Sequence, residues 1–182
     1  SAFASAVTLR KWDQDRELLP WVIIVCLVNL TFFLSLNLTV ENPFVRLWLP
    51  PSGAITTSLF QPKNASLFTP NDGPGLNPLL RHPGMIFHPP TLYLGFVAFV
   101  IPYAFAIAAL ITRQTDDRWI RATRRWTLWA WLFLSLGLVL GARWAYDVLG
   151  WGGYWGWDPV EISALMPWLT GTAFLHSVMI QE

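Results

Sequence analysis

The sequence predicts an all-α, polytopic transmembrane helix bundle with about four spans, an irregular external loop and a Trp-rich external loop. Three observations predict it. Of 182 residues, 54% are hydrophobic and only 13% charged, against about a quarter charged in a soluble domain. Four stretches, 18–40, 82–112, 126–142 and 162–181, contain no Asp, Glu, Lys or Arg, and each is near or above the roughly 20 residues that cross a bilayer as a helix. Twelve tryptophans are a large excess of a residue that collects at membrane interfaces and on flat ligand faces. A net charge of +1 offers nucleic acid no basic face. The single Cys26 excludes a disulfide framework, a cysteine zinc site and both the C-x-x-C redox and C-x-x-C-H haem-attachment patterns. A start at Ser1 without a signal peptide, and an apolar run that stops at Glu182, read as an internal piece of a larger membrane protein.

The elements follow in order. Residues 1–40 are an N-terminal segment and a first span. Residues 41–88 are rich in Pro and Gly and predict an irregular external loop, longer than a plain connector needs. The second span, 89–112, is expected to start at Pro89, because proline suits a first helical turn and drives the residue before it out of the helical region. Residues 113–125 form a basic loop. The third span, 126–149, runs past Arg143, whose long side chain can snorkel to the interface. Residues 150–161 are the Trp-rich loop and 162–182 the fourth span. With alternating spans, eight Lys and Arg (Arg10, Lys11, Arg16, Arg113, Arg118, Arg121, Arg124, Arg125) share one side and four (Arg46, Lys63, Arg81, Arg143) the other. Basic loops stay cytoplasmic, so the two external loops face outward.

The densest chemical signal is Trp151, Tyr154, Trp155 and Trp157, interleaved with Gly152, Gly153 and Gly156. Glycine lets a flat ligand approach the backbone, and indole faces stack on planar rings while keeping an N–H for a polar edge. A porphyrin fits that description; an aromatic belt is the alternative. Asp158, Pro159 and Glu161 have the spacing of a capped helix start. His88, before Pro89 and Pro90, is expected to cap the second span at the outer surface, where it either holds haem iron or serves as a plain interface residue. His82 reads as solvated surface. His176 lies in an apolar helix and is expected to face other helices, either as a functional group or in an interhelical hydrogen bond. Arg143 can pair with Asp147 one turn on or meet an anionic group such as a propionate; Arg81 is a second candidate for the latter.

The segment Trp151–Glu161 resembles the tryptophan-rich "WWD" signature of the haem-handling proteins of cytochrome c assembly, which include the CcmC, CcsA and CcmF/NrfE types. Met166-Pro167-Trp168-Leu169, His176-Ser177 and His88-Pro89-Pro90-Thr91-Leu92-Tyr93-Leu94-Gly95 look like the CcmF type. The match covers about Asn42 to Glu182. The resemblance implies a subunit of a cytochrome c haem lyase in the bacterial inner membrane, with its functional loops on the periplasmic side. It implies an external haem b on the Trp-rich loop with His88 as one iron ligand, and a second, membrane-embedded haem b with His176 as one. The second ligands fall outside the chain. Trp151, Tyr154, Trp155, Trp157, Asp158, Arg143 and Arg81 are the expected haem contacts; no catalytic side chain is expected. The implied partners are apocytochrome c, a haem-delivery chaperone, thiol-reducing assembly subunits and membrane lipid. The family commonly has Trp and a bulky aromatic where this chain has Tyr154 and Gly156, and Asn where it has Ile162. A haem exporter or chaperone of the CcmC or CcsA kind, or a non-haem structural subunit with an aromatic belt, are the alternatives.

The orientation predicts that Ser66→Cys is labelled by an impermeant thiol reagent in intact cells and Ser5→Cys is not. Labelling of Ser5→Cys alone reverses the topology.

Overall fold

The structure, a computed structural model, describes residues 17–40, 42–73, 75–114, 116–150 and 153–180. It divides into two compact units: one runs through Cys26 and resumes at Pro78, the other is Leu27–Asn77. The chain is a membrane helix bundle with a small sheet. Its helices are α1 (Leu18–Thr39), α2 (Gly84–Ala98), α3 (Val100–Thr112), α4 (Arg118–Leu149) and α5 (Pro159–Ile180). Among the described residues, three paths are long and apolar enough to cross a membrane: α1, α2 with α3, and α4. The fourth expected span, α5, has 22 residues, but Glu161, Thr170, Thr172, His176 and Ser177 dilute its apolarity.

In the second unit the proline-rich segment is not irregular throughout, as expected, but holds a three-stranded antiparallel sheet of order β2-β1-β3: β1 Arg46–Leu49, β2 Thr56–Ser58 and β3 Ser66–Leu67. Pro50, Pro51 and Pro62 sit between the strands. Pro50 and Pro62 accept turn bonds from Gly53 (2.9 Å) and Ala65 (3.2 Å). Trp48 is the buried centre, and its indole N–H donates to Ser58 O at 3.0 Å.

The first unit corrects two expected boundaries. Helix α2 begins at Gly84, not Pro89, and Pro89 and Pro90 lie inside it. Its first turn closes through Met85 N–H to His82 O and Ile86 N–H to Pro83 O, both 3.0 Å. The prolines remove two later donors, a loss that helix packing can absorb. The break comes at Phe99, because Pro102 offers Ala98 O no N–H. Helix α4 starts at Arg118, inside the expected basic loop: arginines end an apolar stretch but favour a helix. The true loop is short. Helix α3 ends in a Schellman pair, Arg113 N–H to Leu110 O (3.3 Å) and Gln114 N–H to Ala109 O (3.0 Å), with Arg113 at φ 56°.

Two clusters hold this unit. Leu18 and Val22 of α1 pack on Ala104, Phe105, Ala108 and Ala109 of α3. Leu92, Leu134 and Ala164 join α2, α4 and α5. Helices α2 and α4 lie antiparallel at very close range. A Cβ on Gly95 would run into the Leu134 backbone, and one on Gly137 would come within 2.6 Å of Leu92 Cα. Small residues three and four apart are the usual means of close approach between membrane helices.

Gly95→Ala is therefore expected to cost about 1–3 kcal/mol through overpacking, read as a lower unfolding midpoint of the full-length protein in detergent. Gly73→Ala, with nothing within 4 Å, should leave the midpoint unchanged.

Candidate functional site

The α2–α4 contact delivers His88 to its place. The stripe His88, Leu92, Gly95 on α2 opposes Trp144, Gly141, Gly137, Leu134 on α4. His88 Nδ1 bonds Gly137 O at 2.9 Å. A carbonyl only accepts, so Nδ1 carries the hydrogen and Nε2 keeps its lone pair. A Cβ on Gly141 would lie 2.5 Å from His88 Cε1, so the missing side chain is what makes room for the ring. His88 is half-buried in the second turn of α2, not a cap at its start, because the helix begins earlier. Trp144 lies nearly parallel to it, with centroids 6.3 Å apart.

His82 has the opposite tautomer. Its Nδ1 accepts the Gly84 N–H at 3.1 Å, which leaves the hydrogen on Nε2. It is half-buried rather than solvated, and tied to the start of α2. Of the two histidines here, only His88 presents a free lone pair.

The Trp-rich loop rises from the same end of α4. Trp151 and Gly152 lie outside the described residues. Gly150 (φ 64°) ends α4, and Tyr154 stacks on Tyr146 of its last turn, 4.3 Å apart and 7° from parallel. Trp155 and Trp157 meet edge to face at 5.7 Å. Trp157 has φ 56°, a strained conformation for a bulky residue, and projects a largely exposed ring. The turn is pinned on its far side. Asp158 Oδ1 accepts the Glu161 N–H at 2.7 Å, as an N-cap should. Glu161 does not close the capping box on Asp158; its Oε2 reaches back to the Gly156 N–H at 2.8 Å. Both carboxylates thus shape the loop.

Arg143 Nε pairs with Asp147 Oδ2 at 2.7 Å, yet its side chain stays largely exposed. Arg81 is exposed at the end of the 3-10 turn Pro78–Arg81. The indole nitrogens of Trp144 and Trp155 are buried and have no acceptor among the described residues. An unpaired buried donor is costly and marks a place where a partner is wanted. His176 is some 26 Å along α5 from Pro159, at 1.5 Å per residue. It was expected to face other helices; it stands exposed, its Nδ1 on Thr172 O at 2.8 Å, again leaving Nε2 free.

The structure thus gathers His88, Arg143 and Tyr154 about the last turns of α4, and keeps His176 apart. Gly137, Gly141, Trp144 and Tyr146 were missed from the sequence. The Gly137-x-x-x-Gly141 spacing was the available signal.

A family model described as "Cytochrome C assembly protein" matches residues 5–182. The chain belongs to that family. It is 58% identical over 113 residues to the cytochrome c-type biogenesis protein CcmF of Escherichia coli K12, covering 62% of this chain and 18% of that protein. It is 47% identical over 177 residues to CcmF of Pseudomonas aeruginosa, covering 97% of this chain and 24% of that one. It is 54% identical over 113 residues to NrfE of Haemophilus influenzae, 62% of this chain and 18% of the relative. The chain spans about a quarter or less of these relatives. No solved structure matches it.

Glu161→Ala is expected to free the Gly156 N–H and cost about 1 kcal/mol locally, the net worth of one hydrogen bond. Amide exchange should quicken by roughly fivefold at Gly156 and stay unchanged at Leu134.

Proposed function

We propose that this chain is part of a haem-binding membrane subunit of a cytochrome c haem lyase, which presents external haem to apocytochrome c and carries a second haem b within the membrane. One observation carries the reading: His88 donates Nδ1–H to a backbone carbonyl and keeps Nε2 as a lone pair, the arrangement expected of a metal-ligating imidazole. Among the described residues no three His, Cys, Asp or Glu converge as a cage for a bare ion. A haem iron would take a protein ligand from an imidazole of this kind. The exposed faces of Tyr154 and Trp157 suit the flat ring, the unpaired Trp155 N–H suits a polar edge, and Arg143 and Arg81 suit propionates. Trp151 and Asp158 complete the set, the latter by shaping the loop.

Bound haem supplies the vinyl groups across which the cysteine thiols of the apocytochrome add. The chain's residues do the rest. His88 would hold the iron, the Trp-rich loop would stack on the flat ring, and Arg143 and Arg81 would meet its carboxylates. His176 is the ligand of the second haem on α5. Names of the relatives support the role: each is a cytochrome c-type biogenesis protein. The working context follows from the same reading: the bacterial inner membrane, loops on the periplasmic side, a haem-delivery chaperone and thiol-reducing subunits as neighbours.

In the full-length protein, His88→Ala should lose external haem and spare a low-spin b-type signal, with added imidazole restoring the loss. His176→Ala should remove the b-type signal alone. Loss of one shared spectral component by both variants overturns the two-site reading. Trp155→Leu keeps apolar area but loses the indole face; external haem should fall severalfold with membrane insertion unchanged, and native haem content would return the loop to an aromatic belt.

A further inference from the structure

Helices α4 and α5 are joined by a reciprocal polar latch. Trp131 of α4 donates its indole N–H to Thr172 Oγ1 of α5 at 2.7 Å, and that hydroxyl donates to Trp168 O at 2.7 Å. Trp168 of α5 donates its indole N–H to Ser135 Oγ of α4 at 2.7 Å, and that hydroxyl donates to Trp131 O at 2.7 Å. The two indoles stack between these bonds, centroids 6.1 Å apart. Each hydroxyl accepts from across the interface and donates to its own helix one turn back, so donors and acceptors are matched within the ring of bonds.

Thr172 belongs to two of these systems at once. Its hydroxyl is held from α4 by Trp131, and its carbonyl receives His176 Nδ1 at 2.8 Å. We infer that Thr172, gripped by Trp131, is the positioning residue of the His176 imidazole. The inference rests on His176 being an iron ligand, as proposed above. An axial imidazole works from a set rotation, which its other nitrogen fixes through a hydrogen bond. Here that bond goes to an exposed helix face, where the ring alone would turn with any roll of α5. The hydroxyl grip on the same residue holds its carbonyl in place against that roll. Ser135 and Trp168 close the other half of the latch but have no bond to His176, so the two halves are matched in geometry and unequal in consequence.

The test uses the full-length protein, with membrane haem followed by its oxidised and reduced spectra, its midpoint potential and its loss to a competing haem acceptor. Thr172→Val is expected to shift the axial-ligand signature and potential and to speed haem loss about tenfold. Thr172→Ser should restore all three. Trp131→Phe, which removes the donor and leaves Thr172 in place, should reproduce the shift. Ser135→Ala, which breaks the matching bond on the other half, should leave spectrum and potential native. Equal shifts in Thr172→Val and Ser135→Ala would make the latch a packing device and overturn the inference. A native signature in Thr172→Val beside a lost one in His176→Ala overturns it while leaving His176 a ligand. A native signature in His176→Ala overturns the ligand assignment and the inference together.

Discussion

The close approach of α2 and α4 is the constraint on which the rest of the first unit depends. Three glycines permit it. Gly95 admits the Leu134 backbone, Gly137 that of Leu92, and Gly141 the ring of His88. In a bilayer the lipid is as apolar as the core, so helices associate by close packing rather than by escaping water. The approach also brings a backbone carbonyl of one helix within 2.9 Å of an imidazole on the other. A carbonyl in mid-helix is already engaged by its own ladder, and its second lone pair is reached only where no side chain stands in the way. Packing and tautomer therefore have one cause.

The opposite constraint governs the Trp-rich loop. Of its described rings, Tyr154 and Trp157 stand in the open, and Trp157 is held at a positive φ. That conformation persists only when its surroundings over-determine it. They do so from three directions: the Tyr146 stack under Tyr154, the Asp158 cap at the helix start, and the Glu161 carboxylate on Gly156. The residues after the loop are thus as much a part of it as its tryptophans. Gly156 gives its N–H to the Glu161 carboxylate, so the start of α5 also holds the middle of the loop.

The membrane class and most helices were legible because hydropathy and charge are properties of stretches. Boundaries were less so. Pro89 and Pro90 are strong helix-start signals, and they misled because the stripe His88, Leu92, Gly95 binds α4 strongly enough to carry the helix through them. Arg118 to Arg125 end an apolar run without ending a helix. The short strands about Trp48 were hidden among prolines, whose local rule says turn and says nothing of what lies between turns. Within the candidate site, His88, His176 and the Trp-rich loop stand out as residue types in unusual settings. Trp144, Tyr146 and Thr172 do not, since their roles come from what other helices bring against them.

His88 and His176 share one device in two settings. Each gives Nδ1–H to a backbone carbonyl and leaves Nε2 its lone pair, but the carbonyl belongs to another helix for His88 and to its own for His176. The first arrangement ties ring orientation to the separation of α2 and α4, which the glycines set rigidly. The second ties it to the helix itself, so it holds its direction only as well as α5 holds its rotation. Interhelical hydrogen bonds in membranes average only about 0.6 kcal/mol each, too little to hold a whole helix against thermal roll. The bond from Trp131 acts instead where it lands, on Thr172, and resists displacement of the one residue whose carbonyl His176 uses. A helix that carries the Trp-rich loop at its start and a histidine near its end needs that resistance more than a helix anchored by packing alone.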